Sequence, residues 1–169
     1  MLNVGSGNHG VQTATMMIDI EKIIEDEKPD GIVVYGDTNS TLAGALVASK
    51  LHIPIYHIEA GLRSYNREMP EEINRVLTDH ISTGLFVPSD LAVQNLKKEG
   101  LTTGVFNVGD IMKDLVYYVK NKGLIGAKIN KENYYYVTLH RPYNTDDKER
   151  LSYVLKSLNN LKCSVVMAI

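Results

Sequence analysis

The length, composition and charge of the chain exclude several classes of protein. Its 169 residues suffice for about one domain, or for one domain and the beginning of another. The net charge is −2, from 18 basic and 20 acidic side chains, with no long run of one sign that favours nucleic acid or an anionic membrane as partner. The single cysteine, Cys163, excludes an internal disulfide framework and a cysteine-based zinc cluster. No segment reaches about 18 consecutive apolar residues, and no basic start precedes an apolar run, so we expect a cytoplasmic protein with a small ligand.

Strands and helices alternate in the predicted secondary structure. Apolar residues at helical spacing predict a first helix from about 13 to 27, which ends before Pro29. The apolar run Ile32–Tyr35 is too short for a helix and predicts a strand covered on both faces. The same unit recurs as a helix capped by Asn39 or Ser40, a strand at 55–58, a helix that begins at Pro70, a strand at 85–87, a helix at 89–100 and a strand at 105–108.

A stretch rich in lysine and glycine interrupts the alternation and predicts a linker at 119–133. Beyond it we predict a strand at 134–139, a helix from about 146 to 158 and a strand at 164–169. Alternating units with buried strands predict an α/β fold with a parallel, doubly wound, Rossmann-like sheet at 1–118. The residues 134–169 then form the opening βαβ unit of a second such sheet.

The residues that follow each strand are the first candidates for a site, because ligands of open parallel sheets bind at the carboxyl ends of the strands. Asp37 begins the segment GDTNST, and we interpret it either as a helix cap or as a general base. The hydroxyls of Thr38 and Ser40 and the nearby helix amides are then available to an anion. Glu59 ends the second apolar strand and needs a partner there, which is either Arg63 or a substrate.

Further candidates lie in the third helix, beyond the linker and near the N-terminus. Glu71 stands in the first turn after a proline, where any acid favours the helix dipole, but Arg75 and other polar residues surround it. His140 and Arg141 follow the strand beyond the linker. They are either structural or suited to stabilise a diphosphate leaving group. His9 either contacts a ligand or belongs only to a loop before a helix.

Six segments of the chain, in order, resemble the non-hydrolysing UDP-N-acetylglucosamine (UDP-GlcNAc) 2-epimerases. They are GSGNHGVQT, KPDGIVVYGDTNSTLAGALVA, HIEAGLRSYNREMPEEINRVLTDHIS, LFVPSDLAVQNLKKEG, NVGDIMKDL and TLHRPYNTDD. The resemblance implies a fold similar to the GT-B glycosyltransferases, which have two Rossmann-like domains with the nucleotide sugar in the cleft. It further implies interconversion of UDP-GlcNAc and UDP-N-acetylmannosamine (UDP-ManNAc), through loss of UDP to 2-acetamidoglucal and its re-addition. The resemblance implies a homodimer, and it implies neither a cofactor nor a metal.

The resemblance also implies roles for individual residues. The catalytic positions of the family match Asp37, Glu59, Glu71 and His140. Arg75 and Arg141 match accompanying arginines that we expect to contact the substrate. The sequence departs from the family at Tyr143, where an acid usually precedes the asparagine, so we expect different support for His140.

Three other functions stay open at this point. The first is the 2-epimerisation of a UDP-diacetamido-uronic acid. The second is hydrolysis by a metal held by Asp37, His57, Glu59 and His140. The third is a non-catalytic module that binds UDP-sugars. In the family, a second half of the chain holds the uridine and diphosphate contacts, so we expect these 169 residues alone to bind UDP poorly and not to epimerise.

Overall fold

A computed structural model describes residues 2–5, 7–124, 133–139 and 142–168 of the chain. The chain divides into two compact units, Met1–Lys122 and Gly123–Ile169, and each is described by itself. The assignment of 1–118, 119–133 and 134–169 to a domain, a linker and a second domain stays a prediction. Within the described residues, no helix combines the length and apolarity needed to cross a membrane.

The predicted alternation of helices and strands is confirmed. The first unit contains α1 (His9–Glu27), β1 (Ile32–Tyr35), α2 (Asn39–Lys50), β2 (Ile55–Ile58), α3 (Pro70–Ile81), β3 (Gly84–Val87), α4 (Asp90–Lys98), β4 (Val105–Asn107) and α5 (Ile111–Asn121). The second unit contains β5 (Tyr134–Thr138), α6 (Pro142–Thr145), α7 (Lys148–Asn159) and β6 (Ser164–Ala168). The sequence did not predict α5 or the short helix α6, and α5 extends three residues into the predicted linker. The first helix, α1, begins four residues before its predicted start.

All strand pairs of both units are parallel, as predicted. The first unit has one sheet in the order β1-β2-β3-β4, and the second unit pairs β5 with β6. Crossovers that run in one direction and have the usual right hand place their helices on one face of a sheet. Accordingly, Ala45 of α2 clusters with Val34, and Ile81 of α3 packs against that cluster. Leu96 of α4 clusters with Leu85. The side chains of Val34, His57 and Leu85 lie side by side in register on that covered face.

The opposite face of this sheet is open, so the prediction of strands covered on both faces is wrong for the described residues. In β1, Val34 is buried, whereas Val33 and Tyr35 on the other face are 64% and 43% exposed. The physical reason is the single direction of the crossovers, together with the position of α1, which packs mainly against α2.

Helix ends are only partly as predicted. Pro70 begins α3 and Ser89 caps α4 by accepting a hydrogen bond from the Ala92 amide, which confirms both predictions. The prediction that Asn39 or Ser40 caps α2 is wrong, because both residues lie inside the helix. The Asn39 side chain instead contacts α1 and α3, and the Ser40 hydroxyl contacts that of Thr38.

The buried side of α3 is polar. Glu72, Asn74, Thr78 and Asp79 are buried, whereas Ile73 and Leu77 are 47% and 45% exposed. A helix normally turns its apolar stripe toward the core. Three of these polar residues, Glu72, Asn74 and Asp79, are instead held by contacts with the loops that follow β1 and β2.

Candidate active site

The turn after β1 places Asp37 at the carboxyl end of the sheet. Gly36 has a left-handed backbone (φ 68°), and its amide donates a hydrogen bond to the Ile58 carbonyl at 3.1 Å. The Thr41 hydroxyl donates to the Tyr35 carbonyl at 2.6 Å, which closes the turn against α2. The Asp37 carboxylate accepts a hydrogen bond from Arg75 of α3. Its interpretation as a helix cap is therefore wrong.

Glu59 follows β2 in an unusual backbone conformation. Its φ of 71° is left-handed, which costs a residue with a side chain about 1–2 kcal/mol. The amides of Glu59 and Ala60 both donate to the Phe86 carbonyl at 3.1 Å, so the neighbouring strand fixes this conformation. The Glu59 carboxylate lies beside the turn after β1, with Oε2 3.7 Å from the position that a Cβ of Gly36 would occupy. Strained residues of this kind are concentrated at functional sites.

A cavity of about 340 Å³ opens beside Glu59 at the same edge of the sheet, and Phe86, Gly109 and Asp110 are among its lining residues. Partial burial raises the pKa of Glu59, and so do the nearby charges of Asp37 and Asp110, while His57 and Arg75 oppose the shift. A carboxyl group with a raised pKa is suited to proton transfer near neutral pH.

Asp110 is a further acid at the carboxyl edge of the sheet, and the sequence predicts its place after the fourth strand but no role for it. It lies just after β4, and its carboxylate caps α5 by accepting a hydrogen bond from the Met112 amide at 2.8 Å. It follows the fourth strand at the carboxyl end, as Asp37 and Glu59 follow the first and second.

One face of α3 meets the turn that carries Asp37. Arg75 donates to Asp37, and Asn74 donates to the Asp37 carbonyl at 2.9 Å. Glu71 precedes Asn74 by three residues and Arg75 by four, so it lies on the same helix face. Its carboxylate has no hydrogen-bond or ion-pair partner among the described residues, unlike that of its neighbour Glu72.

Glu72 is a structural acid. It is buried and accepts hydrogen bonds from the Ser64 amide and hydroxyl at 2.9 Å and from the Tyr65 amide at 2.8 Å. Burial alone raises the pKa of Glu72, but these hydrogen bonds and the charge of Arg75 outweigh it and lower the pKa. Of the two adjacent glutamates, Glu72 therefore holds the loop after β2, and the role of Glu71 in the site stays a prediction.

The predicted pairing of Glu59 with Arg63 is wrong. Arg63 donates to the Asp79 carboxylate at 2.7 Å and makes two hydrogen bonds of 2.7 Å to Glu99. Its side chain is 1% exposed. Burial alone lowers the pKa of Arg63, but Glu99 and Asp79 outweigh it and raise the pKa further. In return, the hydrogen bonds from Arg63 lower the pKa of Glu99.

His57 is fully buried and uses both nitrogens of its ring. Nδ1 lies 2.7 Å from Oδ1 of Asp79, and Nε2 lies 2.8 Å from the Gly36 carbonyl oxygen. Because both nitrogens already face oxygen atoms, this ring offers no free lone pair to a metal ion. Within the part of the chain that the structure describes, no three His, Cys, Asp or Glu side chains form a group that could hold one.

The remaining predicted contacts lie at the start of α2. The hydroxyls of Thr38 and Ser40 are 2.8 Å apart. The Asn39 side chain lies 3.0 Å from Nδ1 of His9 and donates to Gln12 at 2.7 Å, which joins α1 to α2. His9 is thus held near the predicted anion site.

Two predicted residues, His140 and Arg141, lie outside the described residues. Their assignment to the site stays a prediction.

The segment after Glu59 requires a glycine at position 61, which leads to a prediction about stability. Its φ is 76°, and a Cβ there would lie 2.7 Å from the Ala92 carbonyl oxygen. Gly100 has a similar φ of 82° but nothing within 4 Å of a Cβ. We expect Gly100→Ala to cost about 1–2 kcal/mol for the left-handed backbone alone. Gly61→Ala should cost about 1–3 kcal/mol more, because the backbone of α4 must move.

Urea unfolding of both glycine variants measures the difference. Gly100→Ala is the control, since it has the same backbone penalty without the close contact. Equal losses in the two variants would contradict the close packing of Gly61 against α4.

Comparisons with known proteins agree on one family. The family model for UDP-N-acetylglucosamine 2-epimerase matches residues 1–169. The UDP-N-acetylglucosamine 2-epimerase of Methanocaldococcus jannaschii is 50% identical in an alignment that covers 93% of this chain and 45% of that protein. The UDP-2,3-diacetamido-2,3-dideoxy-D-glucuronate 2-epimerase of Pseudomonas aeruginosa is 48% identical in an alignment that covers 97% of this chain and 48% of that protein.

Solved structures give the same answer for the fold. The crystal structure of the Methanocaldococcus jannaschii enzyme in complex with UDP-GlcNAc and UDP matches with a TM-score of 0.89 and 45% identity, over 99% of this chain and 49% of that one. The structure neighbours have the GT-B fold, which confirms the predicted fold class. The chain spans about half the length of the curated relatives that it matches.

Proposed function

Because the chain belongs to the UDP-N-acetylglucosamine 2-epimerase family, we propose that the complete protein that carries it interconverts UDP-GlcNAc and UDP-ManNAc. The observation that carries the proposal is the arrangement of Glu59. Its carboxyl group has a raised pKa and lies beside the turn of a second carboxylate, Asp37, at the carboxyl edge of a parallel sheet. The bound UDP-GlcNAc and UDP of the Methanocaldococcus jannaschii structure support the choice of substrate.

The chemistry of carbon 2 explains why the site needs several acids. No carbonyl group activates the hydrogen on this carbon, so a carboxylate of ordinary pKa cannot remove it alone. If the bond between carbon 1 and UDP breaks in the same step, its electron pair leaves with UDP. The pair of the broken C–H bond then forms a double bond between carbons 1 and 2, which gives 2-acetamidoglucal. Re-addition of UDP, with a proton delivered to the other face of carbon 2, gives the epimer.

The proposed roles follow from this reaction. One carboxylate among Asp37, Glu59 and Glu71 removes the proton, and a second carboxyl group returns one from the opposite face. Clustered carboxyl groups differ in proton affinity, as an acid–base pair requires. The raised pKa of Glu59 and the hydrogen bond from Arg75 to Asp37 make the environments of these two groups different.

The diphosphate needs cationic and polar partners as it leaves. We assign this part of the reaction to His140 and Arg141, with Arg75, Thr38, Ser40 and His9 as further substrate contacts. The hydroxyls of Thr38 and Ser40 at the N-terminus of α2 are suited to bind an anion, because helix amides point in the same direction. No step requires a metal ion or a cofactor.

A second candidate function is 2-epimerisation of UDP-2,3-diacetamido-2,3-dideoxy-D-glucuronate. The observation in its favour is the 48% identity to the Pseudomonas aeruginosa enzyme of that name, over 97% of this chain. Both reactions invert carbon 2, so the same carboxyl groups serve either one. The two candidates differ in the groups on the rest of the sugar.

A substrate panel tests the proposal. We expect the complete protein to convert UDP-GlcNAc to UDP-ManNAc, as measured by NMR of the sugar anomeric protons. Conversion of the diacetamido-glucuronate alone would replace the first candidate with the second. Binding of both substrates without conversion of either would identify a binding module and contradict the proposed activity.

Two further properties of the complete protein stay predictions. We propose that it is a homodimer and that it is located in the cytoplasm. Light scattering of the purified complete protein tests the first, with twice the mass of one chain as the expected result.

A further inference from the structure

We propose that His57 is a positioning residue. As a buried imidazolium, it donates hydrogen bonds to both Asp79 and the Gly36 carbonyl. These two contacts fix the turn that carries Asp37 in its place beside Glu59. The two contacts are short, at 2.7 Å to Asp79 and 2.8 Å to Gly36, and the ring is fully buried. The kinetic consequence rests on the proposed function, whereas the charge state of the ring does not.

The hydrogen-bond partners of His57 determine its protonation. Both acceptors are oxygen atoms, one of a carboxylate and one of a peptide carbonyl. A neutral imidazole has only one N–H, so the bare nitrogen would face one of these oxygens at hydrogen-bond distance. Oδ2 of Asp79 already accepts hydrogen bonds from the Gly61 amide and from Arg63, which favours the ionised carboxylate. The second proton therefore lies on His57.

The surrounding charges agree with an imidazolium. The charged groups that face the ring are Asp79 of α3, which is paired with Arg63, and Glu59 at the end of the same strand. Arg63 also pairs with Glu99. Glu99 is 25% exposed and has His80 as a second partner, with Nε2 3.1 Å from Oε2. The buried Asp79 carboxylate therefore contacts Arg63 on one oxygen and His57 on the other, and a charged ring strengthens the second contact.

The position of His57 makes it a link between the two acids. Its Nε2 holds the carbonyl of Gly36, the residue directly before Asp37. Its own backbone lies two residues before Glu59 in the same chain segment, and Asp79 holds the Gly61 amide two residues after Glu59. The ring and its partner Asp79 therefore anchor the backbone on both sides of Glu59 and before Asp37. A displacement of about 1 Å in a catalytic group is enough to cost 10²-fold in rate.

Two substitutions separate the contacts of the ring. In His57→Gln, the side-chain amide reaches the position of Nε2, so it is able to donate to Gly36 but does not replace the contact with Asp79. In His57→Asn, the amide reaches the position of Nδ1, so it is able to donate to Asp79 and loses Gly36. We expect His57→Asn to lower kcat by about 10²-fold with little change in KM, and His57→Gln to lower kcat by about tenfold or less.

The control is His52→Asn, at an exposed position in the turn after α2. We expect its kcat to equal that of the unmodified protein. Equal losses of kcat in His57→Asn and His57→Gln, or no loss in either, would overturn the positioning role. An inactive unmodified protein would instead contradict the proposed function. The charge of His57 would then still be tested by a second measurement, which does not depend on activity.

That second measurement is the NMR spectrum of the unmodified complete protein labelled with ¹⁵N in histidine. We expect His57 to show an N–H correlation at both ring nitrogens at about pH 7.5, where an ordinary exposed histidine has lost one proton. The His57→Asn variant assigns the signals by their disappearance. A bare ring nitrogen in His57 at this pH would overturn the proposed imidazolium.

Discussion

Glu59→Gln in the complete protein is expected to lower kcat for epimerisation by about 10²- to 10⁴-fold, which is the usual contribution of general acid–base catalysis. Glutamine keeps the size and hydrogen-bonding capacity of the side chain but cannot exchange a proton. The carboxyl group of Glu59 lies beside the turn of Asp37, and burial together with the charges of Asp37 and Asp110 raises its pKa. The rate of UDP-ManNAc formation from saturating UDP-GlcNAc measures the effect.

The control for this prediction is Glu25→Gln, which makes the same chemical change on the exposed side of α1. We expect its kcat to be unaltered. Full activity in Glu59→Gln, with the control also active, would remove Glu59 from the catalytic machinery.

Arg63→Met is expected to destabilise the first unit by about 3–5 kcal/mol, the usual cost of removing one partner from a buried ion pair. The Arg63 side chain is 1% exposed, and its guanidinium makes contacts with Asp79 and Glu99 of 2.7 Å each. Methionine fills similar space, so the loss of stability comes from the two carboxylates, which no longer have the guanidinium as a partner. Equilibrium urea unfolding measures the change in the free energy of unfolding.

Arg67→Met is the matched control. Arg67 lies four residues further along the same loop, is exposed, and has no ion-pair partner among the described residues. Its substitution should change the free energy of unfolding by less than about 0.5 kcal/mol. A loss in Arg63→Met as small as that in the control would show that the buried network does not hold the loop.

Local patterns explain what the sequence predicted correctly. Most strands of the first sheet are short apolar runs, and two of the following helices have a start signal that the sequence shows, Pro70 for α3 and Ser89 for α4. These signals act over a few residues, so they are readable without the fold. The position of Asp37 and Glu59 at one edge of the sheet followed from the alternation, because parallel strands share their carboxyl edge.

Contacts between distant residues explain what the sequence could not predict. Arg63 had a nearby acid, Glu59, but its partners are Asp79 and Glu99, which are 16 and 36 residues away. The hydrogen bonds that distinguish Glu72 from Glu71 come from the loop after β2, which folds back over α3. The spacing of residues in the sequence does not predict where this loop lies. The polar buried side of α3 follows from the same loops.

The central claim is that carboxyl groups at this edge of the sheet exchange the hydrogen of carbon 2 while UDP is detached. Incubation of the complete protein with UDP-GlcNAc in D₂O tests it most directly, with NMR and mass spectrometry of both epimers. We expect solvent deuterium at carbon 2 in the UDP-ManNAc formed and in the UDP-GlcNAc regenerated. An epimer that keeps its original hydrogen at carbon 2 would contradict the account.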